Sequence, residues 1–185
     1  MVDQRTLVER AKRGDHDAFA VLVGALAGRL LGASRLILRD QDLAHDATQD
    51  ALVRAWRDLP ALRDPDRFEA WLHRLAVNAC LDLARRRRRR PIEVEIDEIR
   101  SPSSADHAGS IADRDAIDRA LRRLEPDGRA VIVLHYYLGL PLTEVASTLG
   151  IPAGTAKSRL NRALTAMRGA ADDNPSEPLG EEQPA

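Results

Sequence analysis

Residues 142–168 read Leu-Thr-Glu-Val-Ala-Ser-Thr-Leu-Gly-Ile-Pro-Ala-Gly-Thr-Ala-Lys-Ser-Arg-Leu-Asn-Arg-Ala-Leu-Thr-Ala-Met-Arg, and this stretch decides the fold. It predicts a short helix, a tight turn and a longer basic helix, which is the layout of a helix-turn-helix DNA reader. We expect Thr143 to cap the first helix and Gly150 to end it in the left-handed conformation. A small helical hairpin with an apolar seam and solvated arginines gives the same pattern, so this segment alone leaves that alternative open.

The longer helix of this segment has two chemically different faces. Residues at helical spacing around Leu160 are apolar and are predicted to be buried; they are Ala156, Ala163, Leu164 and Met167. The opposite face is polar and basic, and it carries Lys157, Ser158, Asn161, Arg162, Thr165 and Arg168. Such a face suits contact with DNA phosphates and base edges.

The composition favours an all-α fold with two small domains. The chain has 185 residues, of which only 3% are aromatic, and helix-forming residue types dominate. We predict a helical bundle over residues 1–91 (the N-terminal module) and a second helical domain over residues 113–171 (the C-terminal module). An extended acidic linker over residues 92–112 joins them, and an acidic tail over residues 172–185 is expected to be disordered.

Charge is segregated along the chain although the formal net charge is −1. Residues 1–91 carry a surplus of five positive charges and residues 116–171 a surplus of four. Residues 92–115 and 172–185 each carry a surplus of five negative charges. Because basic surfaces attract phosphate, the pattern indicates two nucleic-acid-binding modules with acidic segments between and after them.

The sequence lacks the features expected of disulfide-bonded proteins, metal-binding proteins, enzymes and membrane proteins. Cys80 is the only cysteine, so no intramolecular disulfide can form, and a reducing cytoplasm is expected. The histidines lack the paired spacing of a metal site, and no nucleophile–base pair or phosphate loop is present. We therefore expect no metal, no cofactor, no small-molecule substrate and no enzymatic activity. No apolar run is judged long enough to span a bilayer, so membrane insertion is not expected.

Two helices of the N-terminal module carry polar rows beside apolar stripes. The first is expected to be capped by Asp42, and its polar row is Asp46, Gln49, Asp50 and Arg54. The second begins near Phe68, and its polar rim is Arg74, Asn78, Asp82, Arg85 and Arg86. That rim leads into a run of six arginines over residues 85–90. By themselves, these rows are equally consistent with solvated helix faces.

Three motifs in series resemble bacterial sigma factors of the extracytoplasmic function group of the sigma-70 family. The first is Asp-Ala-Thr-Gln-Asp-Ala-Leu-Val-Arg-Ala-Trp over residues 46–56. The second spans residues 68–86 and contains Phe-x-x-Trp-Leu followed by the polar rim described above. The third is Gly-Thr-Ala-Lys-Ser-Arg-Leu-Asn-Arg-Ala over residues 154–163. Together they cover most of residues 15–170.

The resemblance implies that the two modules are sigma regions 2 and 4 and that the chain directs core RNA polymerase to promoters. By this resemblance the row Asp46, Gln49, Asp50 and Arg54 docks on the β′ clamp helices of the polymerase. The −10 element lies along Arg74, Asn78, Asp82, Arg85 and Arg86, with the loop over residues 58–67 near a flipped base. The −35 major groove faces Thr155, Lys157, Ser158, Asn161 and Arg162. The family also implies a contact with the β flap, an acidic linker in the polymerase cleft, and control by an anti-sigma protein.

Two alternatives from other classes remain open at the level of sequence. A two-module transcriptional regulator would use the helix-turn-helix for DNA and the N-terminal helices for dimerisation or a signal. It accounts for residues 142–168 but not for the basic pattern over residues 68–86. A helical adaptor without a DNA role would leave both basic clusters incidental.

Overall fold

The computed structural model describes residues 3–89 and 111–172, and all regular structure within these ranges is helical. The N-terminal module contains α1 (Gln4–Lys12), α2 (His16–Leu38), α3 (Gln41–Asp58) and α4 (Phe68–Arg89), with 3-10 turns at Leu59–Ala61 and Pro65–Arg67. The C-terminal module contains α5 (Ile111–Arg122), α6 (Pro126–Ile132), a π-helical turn (Val133–Tyr137), α7 (Leu142–Leu149) and α8 (Ala153–Asp172). The all-α prediction is confirmed. Nearly all of the predicted acidic linker and tail lie outside the described residues.

Helix ends follow the local chemistry, although two predicted caps are wrong. Asp40, rather than Asp42, caps α3 by accepting a hydrogen bond from the Leu43 amide at 3.0 Å. Thr143 does not cap α7, because that helix already begins at Leu142 with Pro141 before it. Gly150 does end α7 at a φ of +64°, as expected, since glycine enters this left-handed region without a steric cost.

The N-terminal module is a bundle in which α3 and α4 pack on α2. Alanines at positions 44, 47, 51 and 55 are fully buried along one side of α3, so the neighbouring helices approach this side closely. Larger buried side chains, including Leu30, Phe68 and Leu72, fill the remaining space. The periodicity of the sequence therefore identified the packed faces of these helices.

The helix-turn-helix forms as predicted in the C-terminal module. Val145 of α7 and Ala156, Leu160 and Ala163 of α8 are buried, and Leu164 and Met167 pack partly buried at the edge of the same core. In α5, Ala120 and Leu121 are buried, as is Leu124 just beyond the helix, whereas Ile117 is 54% exposed.

One apolar core joins the two modules, which the sequence did not predict. Ile37 of α2 and Val77 of α4 belong to the same buried cluster as Leu121, Val131 and Leu134 of the C-terminal module. At a second point of contact, a Cβ added to Gly32 would lie 2.2 Å from the hydroxyl oxygen of Tyr137. The absence of a side chain at position 32 therefore allows the π-helical turn to lie directly on α2.

A buried arginine ties the same two modules together. Arg129, in the last turn of α6, is 9% exposed. Its Nε donates a hydrogen bond to the carbonyl of Ile37 at 2.6 Å, and its Nη1 donates to the carbonyl of Leu124 at 2.6 Å. Burial lowers the pKa of Arg129 to about 10, so the side chain stays cationic at neutral pH. The charged guanidinium of Arg129 is thus buried between the two modules. Its hydrogen bonds to backbone carbonyls compensate for the loss of contact with water.

The most apolar helix requires a correction to the sequence analysis. Helix α2 is long and apolar enough to cross a membrane by length and composition, contrary to the expectation that no such run exists. Its Leu22, Leu30 and Ile37 are instead buried against the other helices of the bundle and the C-terminal module. Packing therefore accounts for part of the apolar composition of α2, since 33% of its most apolar window is buried.

His73 makes the stability of the N-terminal module depend on pH. The side chain is 1% exposed and neither ring nitrogen has a hydrogen-bond partner. Burial lowers its pKa, outweighing the opposite effect of Glu69. Since the unfolded chain then binds a proton at higher pH than the folded chain, stability is lost as the pH falls below about 6.5 towards the folded pKa.

We predict that His73→Leu removes this pH-dependent loss and raises the free energy of unfolding at pH 7 by about 1 kcal/mol, because no unsatisfied polar group is then buried. Urea unfolding of both proteins at pH 7.5 and pH 5.5 measures the effect. His73→Gln serves as a control that does not titrate but keeps a buried polar group. An equal loss of stability in wild type and His73→Leu would contradict the prediction.

Candidate nucleic-acid interface

Helix α8 presents its predicted DNA-facing side chains outward. Lys157, Ser158, Asn161 and Arg162 are exposed, and Thr155 is half-buried at the first turn. The face forms because successive turns of α8 bury Ala156, Leu160 and Ala163 against α5, α6 and α7, which leaves the polar residues on the opposite side. The Ser158 hydroxyl donates a hydrogen bond to the carbonyl of Thr155 at 3.0 Å. The structure therefore brings together all five residues predicted for the −35 contact.

Helix α4 carries a second basic face in the N-terminal module. We call the side chains predicted to contact the −10 element the α4 strip; they are Arg74, Asn78, Asp82, Arg85 and Arg86. Four of them are exposed, and Asp82 is half-buried, 3.3 Å from the Arg85 guanidinium. Their spacing of three to four residues places them along one side of the helix. Within α4, the strip is thus a continuous polar surface.

Acidic side chains of both modules contact the carboxyl end of α4. Arg87 pairs with Asp40 at 2.9 Å, and Arg88 pairs with Glu125 of the C-terminal module at 2.9 Å. Arg85 lies 4.0 Å from Asp127 of the same module. These pairs are largely exposed and individually weak, but they place negative charge next to the predicted path of DNA.

A groove of about 1020 Å³ lies at the other end of the α4 strip. On one side it is bounded by the loop that precedes α4, with Arg63 and Arg67, and by Arg74 of α4 itself. The opposite side is formed by α7, including Thr143 and Glu144. The family resemblance implies that the loop over residues 58–67 lies near a flipped base. The groove lies beside this loop and is large enough to hold one base.

The polar row of α3 lies on the surface of the N-terminal module. Asp46, Gln49 and Asp50 are exposed, whereas Arg54 is half-buried and pairs with Asp50 at 2.7 Å, one turn away. Val53 lies in the same row and is 66% exposed. Sequence analysis did not single out Val53, and a single exposed apolar residue is not by itself a signal for a docking surface.

The residues described by the structure contain no group of three or more histidine, cysteine, aspartate or glutamate side chains that could hold a metal ion. Cys80 is fully buried, and burial raises the pKa of its thiol to about 11. At neutral pH it is therefore a protonated, packed side chain rather than a reactive thiolate.

Comparison with known proteins identifies both modules. Residues 22–90 match the family Sigma-70 region 2, and residues 114–167 match the family Sigma-70, region 4. The chain is 35% identical over 150 residues to the ECF RNA polymerase sigma factor SigM of Mycobacterium tuberculosis, covering 81% of this chain and 75% of the relative. The chain belongs to the extracytoplasmic function group of sigma-70 factors.

Two solved structures resemble this sigma factor over both modules. The structure of CnrH in complex with the cytosolic domain of CnrY has a TM-score of 0.68 at 28% identity, covering 93% of this chain and 99% of that chain. The sigma factor RpoE in complex with the anti-sigma factor NepR from Bartonella quintana has a TM-score of 0.66 at 27% identity, covering 85% of this chain and 98% of that chain.

The family assignment settles the choice between the classes weighed from the sequence. A transcriptional regulator and an adaptor both leave the match to Sigma-70 region 2 without an explanation. Sigma-70 factors are non-enzymatic initiation factors that act with RNA polymerase on promoter DNA.

Proposed function

We propose that this sigma factor binds core RNA polymerase through the polar row of α3 and reads promoters with one helix from each module. The α4 strip would contact the −10 element, and the exposed face of α8 would contact the −35 element. The observation that carries the proposal is that all three surfaces lie outward, on the modules where the family motifs predict them.

The polymerase contact combines charge with one apolar anchor. Asp46, Gln49 and Asp50 offer hydrogen-bond acceptors to the β′ clamp helices, and Arg54 offers a donor that Asp50 already orients at 2.7 Å. Val53 would supply the apolar centre, because binding energy concentrates in desolvated contacts surrounded by a polar rim. The C-terminal module would dock separately on the β flap.

The −10 contact would use the α4 strip for the backbone and the groove for a base. Arginines along α4 neutralise phosphates, and the Asn78 amide can both donate and accept hydrogen bonds. A base extruded from the separated strand can be read on its edge only inside a pocket. The groove supports this assignment by its size and by Arg63, Arg67 and Arg74 in its lining, which also carries Asp64, Asp66, Glu69 and Glu144.

The −35 contact would use α8 as a recognition helix in the major groove. Lys157 and Arg162 can pair with guanine edges or hold phosphates, while Thr155, Ser158 and Asn161 offer shorter polar groups. All five residues lie within three turns of the amino end of α8, which is the end that a recognition helix presents to the bases.

Control by an anti-sigma protein is the remaining part of the proposal. RpoE of Bartonella quintana, which resembles this chain in structure, is bound to the anti-sigma factor NepR. We infer the same class of partner here. The chain would act in the cytoplasm, where polymerase and DNA are found, without a cofactor, a small-molecule substrate or membrane insertion.

Addition of the purified chain to core RNA polymerase tests the proposed function. We expect initiation at specific promoters, which can be recovered by selecting transcribed templates from a random library. Val53→Asp should weaken core binding about tenfold, because it places a charge at the apolar centre of the contact. The matched control is Val21→Asp, since Val21 is 59% exposed on α2, outside the row. Failure of the wild-type chain to direct initiation, or equal losses in the two variants, would contradict the proposal.

Arg162→Ala tests the role of α8. If Arg162 reads a base, its loss costs about 1–3 kcal/mol at one −35 position and relaxes selection there. Competition binding of the holoenzyme to promoters varied at single −35 positions measures this. Arg168→Ala, on the same exposed face two turns further on, is the control. A uniform loss over all sequences would instead identify Arg162 as a phosphate contact.

A further inference from the structure

The loop over residues 58–67 consists of two 3-10 turns, Leu59–Ala61 and Pro65–Arg67, joined by an extended link. Each turn has a proline among its first two residues and is closed by its own backbone hydrogen bond, so its conformation is fixed locally. The link over residues 62–64 has extended backbone angles at both ends. Since the link forms no turn of its own, its position depends on what packs against it.

Helix α1 packs against this loop along one face. Arg5, Val8 and Lys12 are spaced three and four residues apart, which places them on the same side of the helix. Val8 is fully buried and belongs to the same apolar cluster as Leu59 and Leu62 of the loop. The apolar side chains of the loop therefore rest on α1.

Two polar contacts cross from α1 to the loop on either side of this apolar contact. The Lys12 Nζ donates a hydrogen bond to the carbonyl of Leu62 at 3.0 Å, in a partly buried position. The guanidinium of Arg5 donates to both carboxylate oxygens of Asp66, with 3.2 Å between Nε and Oδ1. The first contact holds the extended link, and the second holds the second turn. A bidentate pair also fixes the direction of approach of the two groups.

The same loop lines the groove in which we place the flipped base. Arg63, Asp64 and Arg67 of the loop are exposed and form part of the groove lining. Among the residues that the structure describes, none from α1 lies in that lining. Helix α1 can therefore influence a base in the groove only by acting through the loop.

We propose that α1 positions the loop for base selection, with Arg5 and Lys12 as positioning residues that do not themselves touch a nucleotide. This inference rests on the proposed function, because the loop needs a fixed position only if it reads a base. A loop that leaves its binding conformation part of the time lowers the apparent affinity for the correct base by that fraction. Contacts between α4 and phosphates are independent of the loop. Helix α1 thus sets how well a base is discriminated rather than how tightly the promoter is held.

Charge exchange between Arg5 and Asp66 tests the positioning role. Arg5→Asp and Asp66→Arg each break the pair, so each should lower discrimination between bases at one −10 position about threefold, within the range that exposed ion pairs contribute. The double variant re-forms the pair and should restore wild-type discrimination. Competition binding of the holoenzyme to promoters varied at single −10 positions measures these ratios. Aspartate suits the first turn of a helix, so Arg5→Asp leaves α1 intact.

The double variant also separates positioning from a direct contact with DNA. Asp66 itself forms part of the groove lining, so Asp66→Arg alone could act on the nucleic acid. If Asp66 contacts DNA directly, a second change at Arg5 on the far side of the loop does not restore discrimination. That outcome would contradict the proposal.

Lys12 offers an independent pair of variants. Lys12→Met keeps an unbranched apolar side chain but cannot donate to the Leu62 carbonyl, so discrimination should again fall about threefold. Lys12→Arg keeps a donor and should keep discrimination close to wild type. The matched control on α1 is Arg10→Asp, which breaks the ion pair of Arg10 with Asp15 at 2.8 Å and leaves both loop contacts in place. We expect unchanged discrimination in this control.

Tryptic cleavage of the free chain measures the loop without DNA or polymerase. Arg63 is exposed within the extended link, and the initial rate of cleavage after it, followed by mass spectrometry, reports how often the link opens. Arg5→Asp and Lys12→Met should each raise this rate about threefold over wild type. The charge-exchanged double variant and Arg10→Asp should both cleave at the wild-type rate.

The proposal requires faster cleavage and weaker discrimination in the same variants, with both restored by charge exchange. Unchanged cleavage in Arg5→Asp and Lys12→Met would overturn it, because α1 would then not hold the loop. Faster cleavage with unchanged discrimination would also overturn it, as would an equal loss of affinity for every base, which a merely structural role of α1 predicts. Failure of the wild-type chain to direct initiation would refute the proposed function instead, while the cleavage rates would still show whether α1 holds the loop.

Discussion

The packing of the two modules depends on one buried cation, the guanidinium of Arg129, which hydrogen-bonds to backbone carbonyls of both modules. Arg129 donates to the carbonyl of Ile37 at the end of α2 and to that of Leu124 just beyond α5, both at 2.6 Å. Carbonyls at helix ends lack partners within the helix and carry negative partial charge, so a cation suits them. If Arg129 lost its carbonyl partners in one of the two modules, its buried charge would be left unpaired. Leaving a buried charge unpaired lowers the free energy of unfolding by about 3–5 kcal/mol.

This constraint gives the two helices proposed to bind DNA, α4 and α8, different surroundings in the free chain. The polar face of α8 lies outward, whereas the α4 strip is bordered by Glu125 and Asp127 at one end and by α7 at the other. Both faces have the same basic chemistry, yet only α8 is open to a duplex without rearrangement. The arrangement of the modules, more than the composition of either helix, decides which surface is available.

Local features of the fold followed from the sequence because they depend on neighbouring residues. Helical spacing identified the buried face of α8 around Leu160, and Gly150 marked the end of α7. The cap of α3 was misplaced because two aspartates lie two residues apart and either could start the helix. The packing of the two modules against each other could not be predicted in this way. An apolar stripe indicates that a helix face is buried, but it does not indicate which helix covers that face. Sequence analysis did not single out Arg129, and only the carbonyls around it explain its burial.

Arg129 links the carboxyl end of α2 to the backbone just beyond α5 and so holds the two modules together. Amide hydrogen exchange of the free wild-type chain and of Arg129→Met, followed residue by residue, tests this link most directly. We expect the substitution to reduce protection at the carboxyl end of α2 as well as in α5 and α6, because the link between the modules is lost. Reduced protection confined to α5 and α6, with α2 unchanged, would contradict the account.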